Sequence, residues 1–125
     1  MRRTVSITFM SGPHDGKRLS WEVPPDGSPL TLVIGRDRKA HVAIEYDQQV
    51  SRTHAHLIYE PSTDRFFLVD KKSRNNTFIG LQREKLEPEQ RYEIGPDTPF
   101  LVGRTWLCVD ESTSNASETL DGDCP

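Results

Sequence analysis

Hydrophobic and polar positions alternate with a period of two along most of the chain, the pattern of strands that bury one face. Thr4-Val5-Ser6-Ile7-Thr8-Phe9 shows it first and ends at the turn cluster Gly12-Pro13-His14-Asp15-Gly16. Leu19-Ser20-Trp21-Glu22-Val23 repeats it as far as Pro24-Pro25-Asp26-Gly27, so a hairpin-like pair opens the chain. Strand-length runs rich in β-branched or aromatic residues follow at 30–34, 42–44, 55–59 and 66–69, then at 91–94, 100–102 and 105–109. One window, 81–87, looks helix-like, but its leucines lie five apart, share no helical face, and are followed by Pro88. About ten short strands separated by regular turns predict an all-β sandwich or barrel.

Length narrows this to one domain, since 125 residues bury a hydrophobic core without needing metal or disulfide staples. Cys108 sits in an apolar run and Cys124 next to the last residue. Met1-Arg2-Arg3 is not followed by the apolar stretch of a secretory signal, so free thiols in a reducing, cytoplasmic setting are expected. No run approaches the roughly 20 apolar residues of a membrane span. Residues 111–125 are acidic and Ser/Thr-rich with almost nothing apolar, which predicts a disordered tail or linker behind a domain at 1–110.

Charge is distributed unevenly between those two parts. The last 16 residues hold five of the 19 acids and no Lys or Arg, so the net charge of -3 hides a slightly basic domain. Arg36, Arg38, Lys39, Arg52, Lys71, Lys72, Arg74, Arg83 and Lys85 fall in or beside three loop segments. A solvated surface accounts for any one of them, and a cluster requires the fold to bring the segments together.

The densest chemistry is Val50-Ser51-Arg52-Thr53-His54-Ala55-His56-Leu57. Catalysis by Ser51 with His54 as base lacks an orienting third group and the sharp G-x-S-x-G turn, and the serine precedes a strand. His54 and His56 would share a strand face as two metal ligands, yet nothing supplies the rest of a tetrahedral set. Scattered turn glycines make neither a P-loop nor a dinucleotide fingerprint. Anion binding by converging loops fits better. Gly35-Arg36 ends one strand, Ser51-Arg52 precedes another, and Ser73-Arg74-Asn75-Asn76-Thr77 forms a third polar loop. Arg offers a planar fork of donors to phosphate, Ser a short neutral donor, and Asn both a donor and an acceptor for an extended peptide backbone.

These segments, in this order, resemble the signature of the forkhead-associated (FHA) domain. Its pattern is Gly-Arg closing one strand, Ser-x-x-His opening a later one, and Asn-Gly-Thr some twenty residues on, followed by a conspicuous Gly. Here Gly35-Arg36, Ser51-Arg52-Thr53-His54, Asn75-Asn76-Thr77 and Gly80 stand in those places, and 92–105 is similar to the family's last strands. The resemblance implies an FHA-like β-sandwich of about eleven strands that binds phosphothreonine peptides with loops at one end. In that scheme Arg36 and Ser51 hold the phosphate, Arg52 and Arg74 flank it, and Asn75 holds the peptide main chain. A small pocket for the threonine methyl is the family's means of rejecting phosphoserine. Gly35, His54, Asn76, Thr77 and Gly80 would shape and brace the loops. Two departures stand out: Asn76 replaces the usual Gly, and Thr77-Phe78-Ile79-Gly80 is one residue shorter than Thr-Phe-Val-Asn-Gly. Gln49 occupies the place that in some members reads the third residue after the phosphothreonine.

The expected role is thus a non-enzymatic module of Ser/Thr kinase signalling, with phosphothreonine proteins as partners and no cofactor, metal, nucleic acid or membrane. The alternative is an FHA-like interaction domain that no longer requires phosphate. A monomer is expected, unless phosphorylation of Thr113 or Thr119 lets the tail mask its own site or join a neighbour's.

Overall fold

The computed structural model describes residues 3–96 and 98–113. Eleven strands make up the described chain: β1 (Arg3–Phe9), β2 (Arg18–Glu22), β3 (Leu30–Gly35), β4 (Val42–Ala43), β5 (Ala55–Glu60), β6 (Arg65–Asp70), β7 (Thr77–Ile79), β8 (Glu84–Lys85), β9 (Arg91–Ile94), β10 (Phe100–Val102) and β11 (Thr105–Thr113). Six form a sheet in the order β2-β1-β11-β10-β7-β8, and five form a second in the order β4-β3-β5-β6-β9. Only β3 and β4 pair in parallel; every other pair is antiparallel.

Alternation in the sequence explains which faces meet. Ala55, Leu57 and Tyr59 of β5 are buried, whereas His56, Ile58 and Glu60 between them are half-buried on the other face. Val5, Ile7 and Phe9 of β1, with Leu107 and Val109 of β11, pack from the first sheet against Leu32 and Ile34 of β3, Leu57 and Leu68 from the second. The resulting core supplies most of the stability, since each fully buried aliphatic side chain contributes about 1.5–3 kcal/mol by leaving water.

β1 and β11 run antiparallel along their whole length, from Phe9 opposite Leu107 to Arg3 opposite Thr113. β11 therefore continues three residues beyond Asp110, and from residue 114 the tail lies outside the described residues. Cys108 is disulfide-bonded, which corrects the expectation of free thiols; Cys124 lies outside the described residues. That bond also removes the thiol argument for a reducing setting.

Periodicity missed two strands, β7 and β8. β7 is three residues long with Thr77 as its buried member, and both residues of β8 are exposed and charged. Charged edge strands leave no alternation to read, though they discourage pairing with another chain. What fixes the 81–87 segment is one leucine: Leu86 is 0% exposed in the core and its N–H donates to Thr77 O at 2.9 Å, while Leu81 is 81% exposed. Leu86→Ala is therefore expected to cost about 2–5 kcal/mol, against no more than about 0.5 for Leu81→Ala. Urea denaturation at constant m-value separates the two.

Candidate functional site

The β3–β4, β4–β5 and β6–β7 loops meet at one end of the sandwich, and a buried imidazole joins them. His54 is 0% exposed. Its Nδ1 accepts the Ser51 N–H at 3.0 Å and its Nε2–H donates to Asn76 O at 2.9 Å. The histidine backbone extends the connection, donating to Ile34 O at 2.8 Å and accepting the Lys71 N–H at 2.9 Å. Desolvation pushes the imidazole pKa below its ordinary value and outweighs the opposing pull of the Asn76 carbonyl and of Asp70 and Asp47. The ring is neutral at neutral pH, with the proton on Nε2.

Gly35 allows the first two loops to touch. A Cβ built there would stand 1.9 Å from Arg52 O, so no larger residue fits without moving backbone. Arg36 N–H donates to Ser51 O at 2.9 Å, and its Nε donates to Val50 O at 3.0 Å. The Arg74 N–H donates to Ser51 Oγ at 3.0 Å, so that hydroxyl keeps its own proton for another acceptor. Asn75 Nδ2 donates to Gln49 O at 2.9 Å, tying the third loop to the second. The fold thus gathers Arg36, Ser51, Arg52, Arg74 and Asn75 from three loops.

Among the described residues no carboxylate lies within ion-pair distance of Arg36, Arg52 or Arg74. Asp37, the nearest acid in sequence, turns its carboxylate to the Lys39 N–H at 2.9 Å. Two other cations of the sequence cluster are committed elsewhere: Lys71 pairs with Glu89 at 2.8 Å, and the Arg83 guanidinium lies 5.9 Å from the Trp106 ring centre. Beside Gln49 a cavity of about 400 Å³ runs past Gly12, Pro13 and Tyr46 to Arg104.

The family model for the FHA domain matches residues 32–103, more than half of the chain. The chain belongs to the FHA domain family. Its fold is similar to that of an FHA domain of an Arabidopsis thaliana hypothetical protein, at 22% identity and a TM-score of 0.75 over 92% of this chain and 91% of that one. The kinase-interacting FHA domain of the Arabidopsis kinase-associated protein phosphatase gives 20%, 0.72, 92% and 98% in the same order. For the N-terminal FHA domain of Saccharomyces cerevisiae Rad53p, solved with a phosphothreonine peptide, the values are 13%, 0.71, 85% and 91%. No curated protein sequence matches the chain.

Both departures from the FHA pattern have a structural reading. Asn76 has φ of 68°, so it adopts the left-handed conformation that a glycine would take, as Asn tolerates. Gly80 keeps positive φ at 78°, and its N–H donates to Pro99 O at 2.8 Å. Thr77 is buried and donates its hydroxyl to Asp70 Oδ1 at 2.7 Å. His56 stays apart from this network, half-buried on the outer face of β5, its pKa lowered first by desolvation and next by Lys71. Among the described residues no group of three or more His, Cys, Asp or Glu side chains could hold a metal.

Two residues central to the FHA loops carried no role in the sequence reading. Asp70 is buried and also accepts the Ser73 hydroxyl and, at 3.2 Å, the Ser73 N–H. Asp47, likewise buried, takes the Gln49 N–H at 2.9 Å, the Arg104 N–H at 2.8 Å and the Thr105 hydroxyl at 2.8 Å. It welds the β4–β5 loop to the β10–β11 turn. Only Asp47-x-Gln49, a spacing suited to an Asx-turn, hints at this in sequence.

Removing the imidazole leaves the Ser51 N–H and Asn76 carbonyl without partners, so His54→Ala is expected to cost about 2–4 kcal/mol. A folded pKa below the unfolded one, about 6.5, means that the unfolded chain binds the proton first. His54 then contributes full stability above about pH 6.5 and loses it as pH falls. The urea midpoint of the native protein is expected to drop between about pH 7.5 and 5.5. His54→Ala should show a shallower drop, the remainder arising from His56, whose shift has the same sign; equal slopes would contradict a neutral His54.

Proposed function

We propose that this protein recognises phosphothreonine in partner proteins and acts in Ser/Thr kinase signalling. The observation that carries this reading is the joining of the loops of Arg36, Ser51-Arg52 and Arg74 by the bonds from the Arg36 N–H to Ser51 O and from the Arg74 N–H to the Ser51 hydroxyl, with no carboxylate paired to any of the three arginines among the described residues. A phosphothreonine brings about -1.5 to -2 charges and three acceptor oxygens at neutral pH, matching that set of donors. Arg36 and Ser51 contact the phosphate in this reading, and Arg52 and Arg74 flank it. Asn75, with one amide hydrogen spent on Gln49 O, keeps its other hydrogen and its oxygen for the peptide backbone. The cavity beside Gln49 is the continuing path for the peptide, past the exposed Arg104. Binding of a phosphothreonine peptide by the Rad53p domain, which shares the fold, agrees with this reading.

Two charge-assisted contacts of about 1.5–3 kcal/mol each would supply much of a micromolar affinity, near -8 kcal/mol. Fluorescence polarisation with a phosphothreonine peptide, its phosphoserine analogue and its dephosphorylated form provides the test. The first should bind, the second more weakly and the third not at all. Arg36→Ala should weaken binding roughly 10- to 100-fold while costing at most about 1.5 kcal/mol of stability for the lost bond to Val50. Ser51→Ala should weaken it with the fold intact. Undiminished binding by Arg36→Ala would sink the assignment. Equal affinity for the dephosphorylated peptide would favour the interaction domain that needs no phosphate, and steep salt dependence with any nucleic acid would favour a phosphate-backbone binder.

A further inference from the structure

Asn75 takes its orientation from a carbonyl in an exposed turn. Its Nδ2 donates to Gln49 O at 2.9 Å. Gln49 is exposed and stands in the turn that the Val50 N–H closes by donating to Asp47 O at 3.1 Å. An exposed side chain does little to steady that carbonyl. The Gln49 peptide is held instead through its N–H, which Asp47 Oδ1 accepts at 2.9 Å.

The second carboxylate oxygen is anchored on the first sheet. Oδ2 accepts the Arg104 N–H and the Thr105 hydroxyl, each at 2.8 Å, from the β10–β11 turn. That turn comes close because residue 103 is glycine: a Cβ there would stand 2.9 Å from Asp47 Oδ2 and 3.1 Å from the Gln49 carbonyl carbon. Asp47 is 6% exposed, and with its donors all satisfied on two sides the carboxylate is held in one orientation. A chain of direct contacts thus leads from the sheet to the peptide grip. The turn holds Asp47, Asp47 holds Gln49, and Gln49 O holds Asn75.

We infer that Asp47 is a positioning residue for peptide binding, acting through Gln49 on the Asn75 amide without touching the ligand. This rests on the phosphothreonine reading above, in which Asn75 holds the peptide main chain. Asp47→Asn separates positioning from charge by the sign of its effect. Removing a negative charge near an anion's site tightens binding by Coulomb's law alone. An asparagine, however, accepts through one oxygen and turns an NH2 toward the remaining donors, which frees the turn and weakens binding.

The test is titration with a phosphothreonine peptide of the native chain, Asp47→Asn, Asn75→Ala and the double variant, with urea midpoints to confirm that each is folded. Asp47→Asn should weaken binding about 3- to 10-fold, the worth of one hydrogen bond. The double variant should bind no worse than Asn75→Ala alone, because the route runs through Asn75, whereas the losses of Asp47→Asn and Arg52→Ala should multiply. In the free native protein one Asn75 amide hydrogen should exchange with water more slowly than the other, and Asp47→Asn should abolish that difference. Should Asp47→Asn not fold, Thr105→Val removes one donor from Oδ2 and should weaken binding by about twofold in the native background and not in Asn75→Ala.

Unchanged or tighter binding by Asp47→Asn, or by Thr105→Val in its place, would overturn the inference, as would a double-variant loss equal to the product of the single ones. Either result leaves the phosphothreonine reading standing. A native chain that binds no phosphothreonine peptide, its Asn75 amide still protected, would remove that reading and the inference with it.

Discussion

A neutral imidazole with no access to water holds this end of the molecule together. The Ser51 N–H can only donate and the Asn76 carbonyl can only accept, so a ring between them must offer one lone pair and one N–H. Protonated histidine has two donors and fails on the Ser51 side. Burial supplies the preference for the uncharged form, and it prevails although Asp70 and Asp47 pull the other way. Because the histidine backbone is also bonded to Ile34 and Lys71, strand β3 and both flanking loops share one anchor. Loops ordered in this way before a ligand arrives lose little conformational entropy on binding.

Around that anchor, charges of opposite sign occupy different depths. Asp47 and Asp70 are buried and spend their oxygens on backbone N–H groups and hydroxyls of the loops. Arg52 and Arg74 stay exposed, Arg36 half-buried, and none meets a carboxylate among the described residues. Leaving surface cations unpaired forfeits little, since an exposed ion pair contributes about 0–1 kcal/mol. A charge-assisted bond to an incoming phosphate contributes about 1.5–3 kcal/mol. The same acids facing outward would neutralise the cations and leave the loops unbraced.

The two levels of structure were legible in the sequence to different degrees. Alternation and runs of β-branched or aromatic residues marked nine strands, and in β5 Ala55, Leu57 and Tyr59 are buried while His56 and Ile58 between them are half-buried. It could not mark Thr77–Ile79, whose inward residue is a threonine, or Glu84–Lys85, which has no inward residue at all. Arg36, Ser51, Arg52, Arg74 and Asn75 were legible through the order and spacing of their motifs, and the fold brings them together. Asp47 and Asp70 were not, because Asp47 is completed by Arg104 and Thr105, far away in sequence, and Asp70 by Ser73 and Thr77 across a loop whose course only the folded chain fixes. Cys108 shows the same limit: compartment arguments speak to thiols in general and not to one buried sulfur.

The length and pairing of β1 with β11 give the molecule a direction. Arg3 and Thr113 face each other at one end of the sandwich, and the Gly103-Arg104 turn lies at the other, against the loop of Ser51. Thr113 therefore stands about 26 Å from the loop end of β11, at the strand rise of about 3.3 Å per residue. The sandwich itself holds the paired ends of β1 and β11 away from the loops.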